Sequence, residues 1–325
     1  MTTYAHAITM RVNLFGEAAS DHGDLLCGED FESNNDDSIG CIADVEFPTN
    51  SDESIASFLV SESIYLPGLD YPERLRTQSV DPTTRSESVS WILKVNNYYH
   101  FQAVTAYLAV NYMDRFLSSH DLPADRWALQ LLSVACLSLA AKMEETLVPS
   151  LLDLQVEGTR FVFEPKTIRR MEFLVLTALK WRLRSITPFT FIDFFAFKAD
   201  SSGKYIRNLL FHSSQIILDL IHDIEFLDHC PSSIAAAAIL SASHHHSPSP
   251  QFITPQTAAS WCIGLSEKEI SKCYKLMQQK SFSSLQRKHP ISVSHQKTNS
   301  SSGLDAGISS SSPSPPSKRR KLHQT

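Results

Sequence analysis

The sequence predicts an all-α fold in which a duplicated helical unit lies between two disordered arms. Three observations indicate this class. Apolar residues recur at helical spacing from about 86 to about 281, two similar segments recur at a fixed offset, and both ends of the chain are polar. Hydrophobic residues make up 42% of the 325, which is enough for a sizeable core.

The predicted arms differ from the centre of the chain in composition. Residues 1–80 contain acidic and serine-rich stretches such as ESNNDDS, and residues 283–325 end in SSSSPSPPSKRRKLHQT. Segments of this kind bury too little apolar area to offset the chain entropy that is lost on folding. We therefore predict that both arms are largely disordered.

The central helices are indicated by their apolar spacing. Val89, Ile92 and Asn96 mark one face of a first helix. The segment WALQLLSVACLSLAAKM (127–143) is apolar on almost every side, which is typical of a helix enclosed by other helices. Pro165 suits the first turn of a following helix, because its missing N–H would have no partner there.

An internal repeat is visible in the same region. LLSVACLSLAAK (131–142) aligns with SIAAAAILSASH (233–244) at an offset of 102 residues, and the same offset relates Ile168 to Ile270. Two correspondences at one offset indicate a duplicated unit of about 100 residues. The alternative is one large irregular helical domain.

Charge and cysteine usage exclude several classes of protein. A net charge of −6 and a pI near 6.1 argue against direct binding of nucleic acid or of an anionic membrane by the whole chain. The six cysteines include no Cys-x-x-Cys pair and no Cys/His spacing suited to zinc, so we expect reduced thiols and no metal.

Targeting and catalytic motifs are not evident in the sequence. The N-terminus lacks the pattern of a signal peptide, and the longest apolar run (127–141) is interrupted by polar residues and shorter than the ~20 residues that a bilayer requires. We find no glycine-rich phosphate loop, no Gly-x-Ser-x-Gly and no His-Glu-x-x-His. We therefore expect no membrane segment, no cofactor and no enzymatic activity.

Four segments resemble the cyclin box, in the order and spacing of a D-type cyclin. They are WILKVNNYYHF, TAYLAVNYMDRFLSSHDLP, LQLLSVACLSLAAKMEET and RMEFLVLTALKWRLRSITPFTFI. The likeness is closest to the D1 group of plant cyclins and covers about 80–282. It implies two tandem five-helix cyclin-box repeats at 81–186 and 187–282, between an arm at 1–80 and a tail at 283–325.

The resemblance implies that the chain is a regulatory subunit that binds and activates a cyclin-dependent Ser/Thr protein kinase. Lys142 and Glu172 match the Lys and Glu with which cyclins hold the mobile αC helix of the kinase. Without the resemblance, Lys142 would be explained by the helix dipole and Glu172 by a solvated helix face. The kinase role is expected to promote entry into DNA synthesis.

Three further residues match family positions in the first repeat. Asp114 and Arg115 in NYMDRFL match the core signature, and we expect Arg115 to pair with an acidic residue from the first helix or the segment before it. Trp91 matches the tryptophan at the centre of the docking patch for Arg-x-Leu substrates. Around it, Ser88 and Lys94 stand where the family carries an apolar and an acidic residue, so we expect weak docking.

Two short motifs lie in the arms. Leu25, Cys27 and Glu29 resemble the retinoblastoma-binding motif of D-type cyclins, and in an extended chain these side chains face one way. The run Lys318, Arg319, Arg320 and Lys321 predicts a nuclear import signal, against the alternative of a solvated charged tail.

The expected partners follow from these motifs. They are a cyclin-dependent kinase, a retinoblastoma-related pocket protein and kinase inhibitor proteins. The alternative function is that of a cyclin-fold transcription adaptor of the factor IIB type. The negative charge and the lack of a basic face on residues 86–281 disfavour that alternative, because it would bind promoter DNA.

Overall fold

The computed structural model describes residues 52–77, 81–123, 125–155, 160–246 and 253–288, and every regular element within them is helical. The α-helices are α1 Asp52–Ser61, α2 Tyr71–Arg76, α3 Pro82–Tyr99, α4 Ala103–Ser119, α5 Arg126–Glu144, α6 Pro165–Ala178, α7 Phe189–Ala199, α8 Ile206–Leu220, α9 Pro231–His246, α10 Pro255–Ala259 and α11 Glu267–Lys288. Two 3₁₀ helices span Glu62–Tyr65 and Ile224–Asp228.

The helices form two tandem repeats, each with its own hydrophobic core. In the first repeat, α5 packs against α3, α4 and α6; in the second, α9 packs against α7, α8 and α11. The segments that align at an offset of 102 residues are parts of α5 and α9, the third helix of each repeat. The prediction of two tandem helical repeats is confirmed.

The two repeats differ in their number of described α-helices. The second contains five α-helices, α7 to α11, whereas the described part of the first contains four, α3 to α6. Turns at residues 151–154 lie between α5 and α6. Leu154 is nevertheless fully buried in the first core, so this segment still contributes to the packing.

Local sequence signals mark the starts of α3 and α6. Asp81 caps α3 by accepting a hydrogen bond from the N–H of Thr83 at 2.9 Å. Hydrogen bonds from the Thr83 and Thr84 hydroxyls, together with this backbone bond, lower the pKa of Asp81 to about 2. Pro165 is the first residue of α6, as predicted. Ile168, Met171 and Val175 of α6 are buried in the first core, and this packing sets the rotation of the face that Glu172 occupies.

The predicted extent of the N-terminal arm was wrong. Residues 52–77 form α1, a 3₁₀ helix and α2 instead of a disordered segment. Ile55 is fully buried in the second core, and Tyr71 and Leu75 are fully buried in the first. Composition averaged over 80 residues predicted disorder because acidic and serine residues outnumber these few apolar side chains. The remainder of the predicted arm, 1–51 and 78–80, lies outside the described residues. The predicted start of the disordered tail at 283 was also wrong, because α11 continues to Lys288, and residues 289–325 lie outside the described residues.

Arg85 forms a buried ion pair within the first repeat and also joins the two repeats by hydrogen bonds. The Arg85 guanidinium donates to both carboxylate oxygens of Asp114 at 2.8 and 2.7 Å, and each of these side chains is 2% exposed. The Tyr71 hydroxyl donates to the same carboxylate at 2.9 Å. Arg85 also donates to the carbonyls of Ile221 and His222 in the second repeat. Asp114 is thus a core residue whose charge is fully compensated.

The prediction that Arg115 pairs with an acidic residue was wrong. Within the described residues, its guanidinium donates to the carbonyl of Arg182 at 3.1 Å and to the hydroxyl of Ser185 at 3.0 Å, and it lies over the ring of Tyr65. The acid–base pair is formed by the preceding residue, Asp114, with Arg85. Successive helix residues point about 100° apart, so the phase of α4 decides which of the two charges meets α3.

Candidate functional site

Lys142 and Glu172, 30 positions apart in sequence, form an ion pair. The Lys142 amine donates to Glu172 Oε1 at 2.7 Å. Lys142 lies in the last turn of α5 and its side chain is 44% exposed, whereas the Glu172 side chain on α6 is 9% exposed. An ammonium group has three hydrogens, so two remain available to a docking partner. The geometry can therefore hold a partner backbone while the pair itself stays intact.

An exposed aromatic pair includes the residue that follows Glu172 in the sequence. Phe173 follows Glu172 on α6 and is 53% exposed, and Trp181 is 66% exposed. Their ring centroids are 6.4 Å apart in an edge-to-face arrangement. Two large aromatic side chains in contact on a surface are typical of a binding site rather than of a solvated face. Neither residue was predicted as a site residue, because their exposure is visible only in the structure; the available signal was their large aromatic character within and just after α6.

The backbone that presents Trp181 has an unusual conformation. Lys180 and Trp181 have φ angles of 53° and 60°, in the left-handed region. The N–H of Trp181 donates to the carbonyl of Leu176 at 2.9 Å, which closes the end of α6 in a geometry that glycine normally adopts. Residues other than glycine at such angles cost about 1–3 kcal/mol each and concentrate at functional sites. The turn thus holds Trp181 at the surface against a local preference.

Trp91 lines a pocket of about 160 Å³ between α3, α5 and the segment before α6. The other lining residues are Thr84, Glu87, Ser88, Arg126, Gln130, Ser133, Arg160 and Phe161. Most of the lining residues are polar by type, and one of them, Glu87, is acidic. Glu87 pairs with Arg126 at 3.6 Å, so its charge is already engaged. The indole N–H of Trp91 is buried without a partner in the described part of the chain.

The remaining predicted site residues lie outside the described residues. These are Leu25, Cys27 and Glu29 of the N-terminal motif and the basic residues Lys318, Arg319, Arg320 and Lys321. Among the described side chains, no group of three His, Cys, Asp or Glu residues is placed to hold a metal ion. Within the same ranges, no helix has both the length and the apolar character that a membrane crossing requires.

The chain is similar to known families over most of the described region. The family described as "Cyclin, N-terminal domain" matches residues 53–184, and "Cyclin, C-terminal domain" matches residues 186–314. The first match begins within α1, in agreement with the folding of residues 52–77. An X-ray structure of a viral cyclin from herpesvirus saimiri superposes with a TM-score of 0.54 at 15% identity, covering 62% of this chain and 85% of that one.

Two curated relatives place the chain more finely. Cyclin-D2-1 of Oryza sativa subsp. japonica is 61% identical over 235 residues, which cover 72% of each chain. Cyclin-D1-1 of Arabidopsis thaliana is 47% identical over 308 residues, which cover 92% of this chain and 90% of the relative. Together with the two matched cyclin domains, these identities decide the family. The chain belongs to the D-type cyclins, which are regulatory subunits of cyclin-dependent kinases.

Proposed function

We propose that this D-type cyclin activates its kinase through the surface around Lys142, Glu172, Phe173 and Trp181, and directs it to a retinoblastoma-related protein to promote entry into DNA synthesis. The observations that support the proposal are the exposed aromatic pair of Phe173 and Trp181 and the Lys142–Glu172 ion pair, which share helix α6 through the consecutive residues Glu172 and Phe173. Large aromatic and charged anchors at the centre of an interface commonly supply most of the binding energy.

The mechanism follows from how kinases position ATP. An inactive kinase holds its αC helix away from the active site, which breaks the Lys–Glu ion pair that orients the phosphates. A rigid partner that binds only the αC-in conformation shifts the population by its difference in affinity for the two states. Arg85 contributes rigidity, because its hydrogen bonds to the Ile221 and His222 carbonyls join the two repeats. The cyclin supplies no catalytic side chain of its own.

Replacing Phe173 and Trp181 together by alanine is expected to abolish activation of a monomeric cyclin-dependent kinase. Loss of two exposed interface anchors costs binding but leaves the cores untouched, so the helical circular dichroism should remain. Kinase activity on a peptide substrate is measured with and without the cyclin. Tyr98 and Phe211 are 65% and 61% exposed, so their double alanine variant is the matched control. Equal activation by both variants would contradict the docking surface.

We propose further that Leu25, Cys27 and Glu29 bind a retinoblastoma-related pocket protein as an extended strand. The alternation of these residues supports one shared groove, and their tether to the kinase raises the local substrate concentration. A peptide spanning 20–34 is expected to bind the pocket domain moderately, because ordering it costs entropy. The Cys27→Gly, Glu29→Lys peptide should not bind. Equal binding by the two peptides would remove the motif from the mechanism.

The nucleus is the proposed location, with Lys318, Arg319, Arg320 and Lys321 as the import signal. Four consecutive cations are the kind of run that import receptors recognise. A fluorescent fusion in which all four are alanine is expected to lose its nuclear enrichment. A fusion with Lys268, Lys272 and Lys275 of α11 changed to alanine is the control for lost positive charge. An unchanged distribution of the first fusion would show that import depends on another segment or on the kinase.

A further inference from the structure

The exposed face of α6 carries a row of basic side chains. Lys166, Arg169 and Arg170 are exposed, with Lys166 three and four residues before the two consecutive arginines, and exposed Phe173 follows them at four and three residues. Residues at this spacing lie on one side of a helix, here over about 10 Å of its length. We call Lys166, Arg169, Arg170 and Phe173 the α6 stripe. It is a basic face on a chain whose net charge is −6, and the sequence analysis did not find it.

Within the described residues, the cations of the α6 stripe are not neutralised by the chain itself. None of the three forms an ion pair there, and the first turn of α6 contains no acidic residue. Glu172, the acidic residue of this helix, is already paired with Lys142. Glu164 at the N-cap is the nearest other carboxylate in sequence. Positive charge therefore remains available on this face.

The α6 stripe is continuous with the proposed kinase-docking surface. Phe173 belongs to both, since its ring contacts Trp181 and its backbone adjoins Glu172. Lys180 and Arg182, exposed on either side of Trp181, add positive charge at the other end of the helix. The aromatic pair is thus bordered by cations at both ends. A solvated face alone would not account for two aromatic side chains in contact at its centre.

We infer that the α6 stripe docks against an acidic surface of the kinase, and that this charge match selects among cyclin-dependent kinases. The inference rests on the proposed docking surface and adds the chemistry of the partner. Exposed charges contribute mainly to the rate and selectivity of association, because water and salt screen them once they are bound. Helix residues three or four positions apart have Cβ atoms about 5–6 Å apart. That separation is shorter than the Debye length of about 8 Å at physiological salt, so neighbouring charges of the stripe act together.

The test measures association rates between immobilised monomeric cyclin-dependent kinases and the full-length cyclin at several salt concentrations. For the kinase that binds the wild type fastest, the Arg169→Glu, Arg170→Glu variant is expected to associate at least about tenfold more slowly at low salt. Its rate should also depend less on salt. Lys268→Glu, Lys275→Glu on the exposed face of α11 makes the same change in net charge and should stay within about twofold of the wild type.

The outcomes separate this inference from the proposed function. No binding by the wild-type cyclin to any kinase would overturn both. Binding by the wild type with equal rates for the two charge-reversal variants would overturn the α6 stripe alone. A random-sequence DNA duplex is tested in parallel. Loss of DNA binding in the Arg169→Glu, Arg170→Glu variant, with kinase association unchanged, would assign the stripe to nucleic acid and overturn the inference.

Discussion

The Arg85→Met variant is expected to be less stable than the wild type by about 3–5 kcal/mol, because it leaves the Asp114 carboxylate buried without its cation. The pair is 2% exposed at both side chains, so water cannot replace the lost guanidinium. The variant also loses the hydrogen bonds to the Ile221 and His222 carbonyls, which join the repeats. Urea unfolding followed by circular dichroism measures the difference in free energy of unfolding.

Two controls accompany the Arg85 experiment. Arg76→Met breaks the exposed ion pair with Asp228 and should cost less than about 1 kcal/mol. Arg85→Met combined with Asp114→Leu removes both buried charges and should recover part of the loss, although the Tyr71 hydroxyl then lacks its acceptor. An Arg85→Met protein within 1 kcal/mol of the wild type would show that the pair contributes little to stability.

Reversing one charge at the docking site is expected to cost about 2–5 kcal/mol of kinase binding, a factor of about 30 to several thousand in Kd. The changes are Lys142→Glu and Glu172→Lys, made singly. The double charge swap tests the mechanism more sharply. It restores an ion pair within the cyclin but presents the opposite charges to the kinase, so binding should remain lost. Titration calorimetry with a purified kinase measures each Kd.

The contrary outcome is equally clear. If the double swap recovered kinase binding, the ion pair would serve the cyclin fold and not the interface. The Glu269–Lys272 pair on α11 has the same nitrogen–oxygen distance, 2.7 Å, and provides the matched swap in the second repeat. Its exchange should leave kinase binding within about twofold of the wild type.

The sequence predicted the parts of the molecule that depend on local pattern or on a motif. The enclosed helix α5, the start of α6 at Pro165 and the tandem repeat all follow from apolar spacing and from proline chemistry. Lys142 and Glu172 were found through the family motif, and the structure places the Lys142 amine 2.7 Å from Glu172 Oε1. Spacing alone could not have paired residues on two different helices.

The features that the sequence did not predict depend on tertiary contacts. A ten-residue helix such as α1 is marginal on its own, and burial of Ile55 against the second repeat stabilises it. The pairing of Asp114, and not Arg115, with α3 depends on helix phase. The left-handed turn at Lys180 and Trp181 carries no glycine, so no turn signal marks it.

The folding of α1 also limits how far the proposed pocket-protein motif at 25–29 can lie from the second repeat. Asp52 is held beside α7 by an ion pair with Lys198 at 3.3 Å, so the chain that leads back to the pocket-protein motif starts at a fixed point on the second repeat. Between Glu29 and Asp52 there are 23 steps along the chain. A fully extended chain of that length spans at most about 80 Å. If Leu25, Cys27 and Glu29 bind a pocket protein as we propose, that protein can offer the kinase only those acceptor sites that lie within this radius plus its own dimensions.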